Sequence, residues 1–123
     1  NKKFYFDKFG KIIDEIKNLS NKDKKLIVFL GQSSNLNARF IIEILENINF
    51  LSKYQINNIT YVNQRRWDVL LNNNIKLMLS ENFPENSLRN FIKLEKNLSE
   101  ADINNIQEID LRNLDKTLIT FNK

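Results

Sequence analysis

Between residues 65 and 79 the chain alternates. Trp67, Val69 and Leu71 are interleaved with Arg66, Asp68 and Leu70; three asparagines follow at 72–74, and Ile75, Leu77 and Leu79 then resume the alternation. A period of two on both sides of a short polar break predicts two strands joined by a tight turn, a β-hairpin. Residues 56–62 read as a further strand, and Asn63-Gln64 leaves room only for an antiparallel turn or a bulge before the hairpin begins. Upstream the period changes. Leu36, Phe40, Ile41, Ile44, Leu45, Ile48 and Leu51 recur at spacings of mostly three and four, the stripe of an amphipathic helix, and Ser33, Ser34 or Asn35 is placed to cap it. Before it, residues 26–30 form a continuous apolar run closed by Gly31, which fits a short strand buried on both faces or the lead-in to the helix.

The flanks follow the same logic. Residues 3–7 and 11–17, on either side of Phe9-Gly10, predict a first hairpin, with the glycine free to supply a positive φ. Ser80 to Pro84 sets a capping residue just ahead of a proline, a helix start, and Leu88, Phe91, Ile92 and Leu98 mark one face of the second helix. Residues 106–112, a turn at 113–116 and residues 117–121 read as a final hairpin. The order is two strands, a short strand, helix, three strands, helix, two strands. It lacks the regular alternation of a fully parallel sheet, so the expected fold is α+β: a mixed, mostly antiparallel sheet with two amphipathic helices packed on it and an exposed C-terminal edge strand. Residues 1–123 are expected to form one domain, since the sequence shows neither repeats nor a low-complexity linker.

Composition narrows the chemistry. The chain has no cysteine and no histidine, which removes disulfides, thiolate catalysis, the commonest general base and the commonest metal ligand. No metal or other cofactor is expected. Only two residues are glycine while about one in six is asparagine, so asparagine is expected to stand in for glycine at several turns. A net charge of +4 and a pI near 9.3 leave a basic nucleic-acid-binding module as the alternative reading, but the lysines lie mainly in short runs with acidic residues interleaved. Asp68 with Asp110 or Glu108 is the available carboxylate pair; each alternates with apolar neighbours as solvent-facing strand positions do, and no nucleophile accompanies them. Trp67 shares a strand face with Val69 and Leu71, which marks it as core rather than as a stacking platform for bases. Arg65 is expected on the side opposite Trp67, where with Arg112 it would form a small cationic patch suited to carboxylates on a partner. No apolar run reaches the length of a membrane span, and a start at Asn1 is expected of a fragment.

These segments, in this order, resemble the C-terminal periplasmic β domain of the bacterial cell-division family FtsQ, also called DivIB. The similarity lies in the 26–31 run with its helix, the Arg65-Arg66-Trp67 strand with its Asn-rich turn and Ile75-x-Leu77-x-Leu79 return, the second helix, and Asp110-Leu111-Arg112 near the end. The resemblance implies a non-enzymatic scaffold of the divisome. Full-length members have a cytoplasmic tail, one transmembrane helix and a POTRA domain ahead of this domain, which sits on the periplasmic side of the inner membrane at the septum. It further implies binding of FtsB and FtsL, with the last strand accepting a strand of FtsB by β-augmentation. By position, Arg65 and Arg112 become partner contacts, and Thr117, Leu118, Ile119, Thr120 and Phe121 the receiving strand. Asn113 stands where the family carries an aromatic residue, so that anchor is absent or is replaced by Phe121. Asn74 and Ser80 stand where glycine is common.

Overall fold

A computed structural model describes residues 4–6, 12–15 and 27–122. Among these residues eight strands form one sheet: β1 (Phe4–Phe6), β2 (Ile12–Glu15), β3 (Ile27–Leu30), β4 (Ile56–Val62), β5 (Arg66–Leu71), β6 (Lys76–Leu79), β7 (Ile106–Leu111) and β8 (Leu118–Phe121), in the spatial order β2-β1-β3-β4-β5-β6-β7-β8. Five of these pairings are antiparallel; β3–β4 and β6–β7 are parallel. Helix α1 (Ser34–Asn47) makes the first parallel crossover, and α2 (Pro84–Glu95) with a short α3 (Glu100–Asn104) makes the second. The α+β expectation therefore holds, with a third helix and a 3-10 turn at Phe50–Ser52 added. No helix among the described residues is long and apolar enough to cross a membrane. The predicted Phe9-Gly10 turn lies outside the described residues, although the strands on either side of it do pair.

Strand alternation sets the core. Phe29, Ile59, Val69, Leu77, Ile109 and Ile119 stand side by side across six strands, and α1 and α2 cover this face. The helix packs on a stripe different from the one expected. Ala38, Ile41, Ile42 and Leu45 are buried, whereas Leu36 and Phe40 are 79% and 55% exposed. At about 100° per residue, a stripe centred on Ala38 puts Leu36 and Phe40 on the far side, and the small side chain of Ala38 lets the helix close onto the sheet. In the second helix Leu88 and Phe91 are buried as expected, while Leu98 lies past its end. Phe50, which no periodicity marks, is fully buried and packs with Tyr54 and Phe91 at ring separations of 4.5 and 6.2 Å.

Among the described residues asparagine takes glycine's place at three left-handed positions, Asn49, Asn63 and Asn74. Asn63 and Gln64 both have positive φ, and the Arg65 amide donates to the Val62 carbonyl at 3.0 Å, making the mirror-image two-residue turn that matches strand twist. The start of α1 departs from expectation: Ser33 is left-handed and gives no side-chain cap, its hydroxyl donating instead to Gln64 Oε1 at 3.1 Å. Next to it, the Ser34 hydroxyl is buried with no hydrogen-bond partner among the described residues. A desolvated, unpaired hydroxyl is costly, and alanine is the better helix former. Ser34→Ala should therefore raise stability by about 1 kcal/mol, seen as a higher melting temperature; an unchanged or lower one would mean that the hydroxyl has a partner.

Candidate functional site

β3, β4, β6 and β7 run in one direction, so the segments that follow them, including the starts of α1 and α2, gather at one end of the sheet. There the turn at 63–65, Glu81 and the 112–116 turn meet. Arg65, Arg66 and Arg112 line a common hollow of about 220 Å³ with Val62, Asn63 and Glu81. The structure thus brings Arg65 and Arg112 together, but Arg65 is not on the strand face opposite Trp67. It ends the two-residue turn before β5 begins, is 69% exposed along its side chain, and lies 3.5 Å from Glu81.

Helix α2 builds the other half of the site. The Ser87 hydroxyl, fully buried, donates to the Leu111 carbonyl at 2.7 Å and accepts from the Ser80 amide at 2.9 Å, tying the ends of β6 and β7 to the helix. One turn on, the Asn90 amide donates to the Leu114 carbonyl at 3.2 Å and holds the final turn. Arg112, between these two anchors, donates from Nε and Nη2 to Asp110 at 2.9 and 2.7 Å, and its backbone N–H donates to Asp110 Oδ1 at 3.0 Å. This bidentate pairing, the nearby Arg66 charge adding to it, holds the Asp110 carboxyl below the usual carboxylate range, and Arg112 is raised in turn.

Asn113 serves the turn. Its side-chain oxygen accepts from the Asp115 amide at 2.9 Å and its carbonyl from the Lys116 amide at 3.2 Å. Phe121 does not replace an anchor at Asn113. It pairs with Ile106 while Leu118 pairs with Asp110, so it lies at the opposite end of β8, about 10 Å along the strand. Leu118, 55% exposed, is the apolar residue beside Arg112 and Asn113, with Lys116 on the same hollow.

The strand expected to receive a partner, β8, begins at Leu118, one residue after Thr117, and is the last of the described strands in the sheet. Its inner side pairs with β7. The Asn122 amide donates to the Asn105 carbonyl, and the alternation of an extended chain then turns the N–H groups of Leu118 and Thr120 toward β7 and those of Ile119 and Phe121 toward the outer edge, which no other described strand covers. Leu118 and Phe121 are exposed, while Ile119 keeps contact with the core.

Two other candidates resolve differently. Asp68 is not solvent-facing. It is 6% exposed, on the face away from the helices, with Arg66 Nε at 3.2 Å and Lys76 Nζ at 3.8 Å, and Thr60 and Met78 flank it in register. It forms a structural ion pair, with Met78 on the intervening strand between it and Asp110. Trp67 is 3% exposed, stacked on Tyr61 at 4.3 Å and edge-on to Phe29 at 5.8 Å, so it offers no platform to a base. Sequence reasoning passed over Ser87, Asn90 and Glu81, whose parts depend on pairings across the fold that local spacing does not carry.

No curated relative matches the chain. The family model described as "Cell division protein FtsQ/DivIB, C-terminal" matches residues 1–112, ending at Arg112 and leaving β8 outside the matched length. With nearly the whole chain covered, and with the α+β sheet and its Arg-Arg-Trp and Asp-Leu-Arg segments in place, this chain belongs to the FtsQ/DivIB C-terminal domain family.

Proposed function

We propose that this domain is a docking scaffold that accepts an extended strand of FtsB, within the FtsB–FtsL complex, along the free edge of β8. Family membership gives the chain a role in cell division. The observation that carries the finer reading is the placement of β8: an edge that no other described strand pairs with, with two outward N–H groups, adjoining the hollow of Arg112, Asn113, Lys116 and Leu118. An edge strand lends a partner backbone its hydrogen bonds, and guanidinium groups at the strand's start fix the partner's register through its carboxylates. Arg65 and Arg112 are the proposed carboxylate contacts, Leu118 the apolar one, and Thr117, Ile119, Thr120 and Phe121 complete the receiving strand. In this reading the full-length protein is held by one transmembrane helix, the domain faces the periplasm at the septum, and its task is to assemble septal peptidoglycan machinery without catalysing a reaction itself.

Proline separates the two sides of β8, since it lacks an N–H. Phe121→Pro removes an outward donor, and Phe121→Ala controls for loss of the ring. Both should keep the fold, and only the proline variant should weaken FtsB–FtsL binding about tenfold or more in a calorimetric titration, the effect of one unmade hydrogen bond. Thr120→Pro removes an inward donor and should instead cost about 1–3 kcal/mol of stability. If Phe121→Pro binds as tightly as Phe121→Ala, strand addition at this edge is wrong.

A further inference from the structure

Arg112 is held before any partner arrives. Of its five N–H donors, Nε and one on Nη2 are taken by Asp110, at 2.9 and 2.7 Å, which leaves the Nη1 edge and the second Nη2 hydrogen as the donor side without a partner among the described residues. The carboxylate is itself well fixed. Its side chain is only 18% exposed, it lies on β7 between Met78 of β6 and Leu118 of β8, and it also takes the Arg112 backbone N–H, which closes the end of the strand. A free arginine side chain samples many rotamers and loses that freedom on docking; one already clamped loses far less.

We infer that Asp110 is a positioning residue: it orients the Arg112 guanidinium so that its free donor edge is presented to a carboxylate on the incoming chain. This rests on the proposed docking at β8. The clamp also sets the chemistry of the occupant. With the Asp110 charge satisfied by Arg112 and supported by the nearby Arg66, the occupant that fits is planar and accepts two hydrogen bonds, a glutamate or aspartate side chain of an extended peptide.

The test is a titration of the full 123-residue chain with the FtsB–FtsL complex. Asp110→Asn keeps an oxygen for the Arg112 backbone N–H but loses the charge and the second acceptor. It should bind about tenfold more weakly, with a melting temperature within a few degrees of wild type. Asp110→Glu, which retains the carboxylate, should recover part of that loss, and Asp110→Asn should add nothing in an Arg112→Ala background. In the free protein, the Arg112 Nε–H resonance should be protected from exchange in wild type and lose that protection in Asp110→Asn, a readout that needs no partner. If Arg112→Ala weakens binding while Asp110→Asn binds as wild type or more tightly, the positioning role is overturned and the docking reading survives. If Arg112→Ala itself binds as wild type, the arginine leaves the site and the role of Asp110 goes with it.

Discussion

Replacing Trp67 with alanine is expected to lower stability by about 3–5 kcal/mol, the range for deleting a buried large aromatic whose neighbours only partly fill the space. The ring is stacked on Tyr61 and meets Phe29 edge-on, so the deletion removes two aromatic contacts as well as buried area. Trp67 is the only tryptophan, so the measurement is denaturation by guanidinium followed by circular dichroism rather than by fluorescence. Trp67→Phe should cost markedly less, because it keeps an aromatic ring in the same pocket. A loss below about 1 kcal/mol for the alanine variant would contradict the burial on which the core assignment rests.

Gly31→Ala is expected to be of similar size for a different reason. Gly31 ends β3 at φ +102°, a conformation L-residues rarely adopt, and a methyl group there would meet the Tyr61 carbonyl oxygen at 2.3 Å. The obstacle is backbone of the adjacent strand, which has no rotamer to change. Strain at a left-handed position and forced overpacking each cost about 1–3 kcal/mol, so a total of about 2–6 kcal/mol follows. A melting temperature near wild type would show that β3 and β4 can separate at this point without loss.

Much of this fold was legible from period alone. The alternation at 65–79 located β5 and β6, and the helical spacing after residue 34 located α1, because each element buries one face and the burial writes its period into the chain. What period could not supply was the phase. For α1, seven apolar residues suggested a stripe through Leu36 and Phe40, yet the small Ala38, which carries little hydrophobic signal, marks the true contact line. Asp68 was misjudged for the related reason that strand alternation tells only which side a residue takes; whether that side is wet depends on Arg66 and Lys76 folding over it. At the candidate site, Arg65 and Arg112 could be paired from motif order, but the parts that hold them, Ser87 and Asn90 on α2, act on carbonyls 24 residues away. Nothing in their own neighbourhood in the chain distinguishes them from other helix-surface polar residues.

An edge open to one partner is open to every extended chain, including a second copy of itself, and unpaired strand edges are where native proteins risk sticking together. β8 limits that risk by its dimensions. It has four residues, its ladder with β7 is interrupted by an irregularity between Ile106 and Glu108, and Lys116 stands at its entrance. Two copies laid edge to edge would share only a few hydrogen bonds, and a parallel pairing would also set Lys116 and Arg112 of one copy beside those of the other. A guest strand carrying acidic groups meets the same edge with attraction instead of repulsion. The shortness of β8 thus makes selectivity depend on the charged turn at its start, and keeps the bare edge a poor template for aggregation.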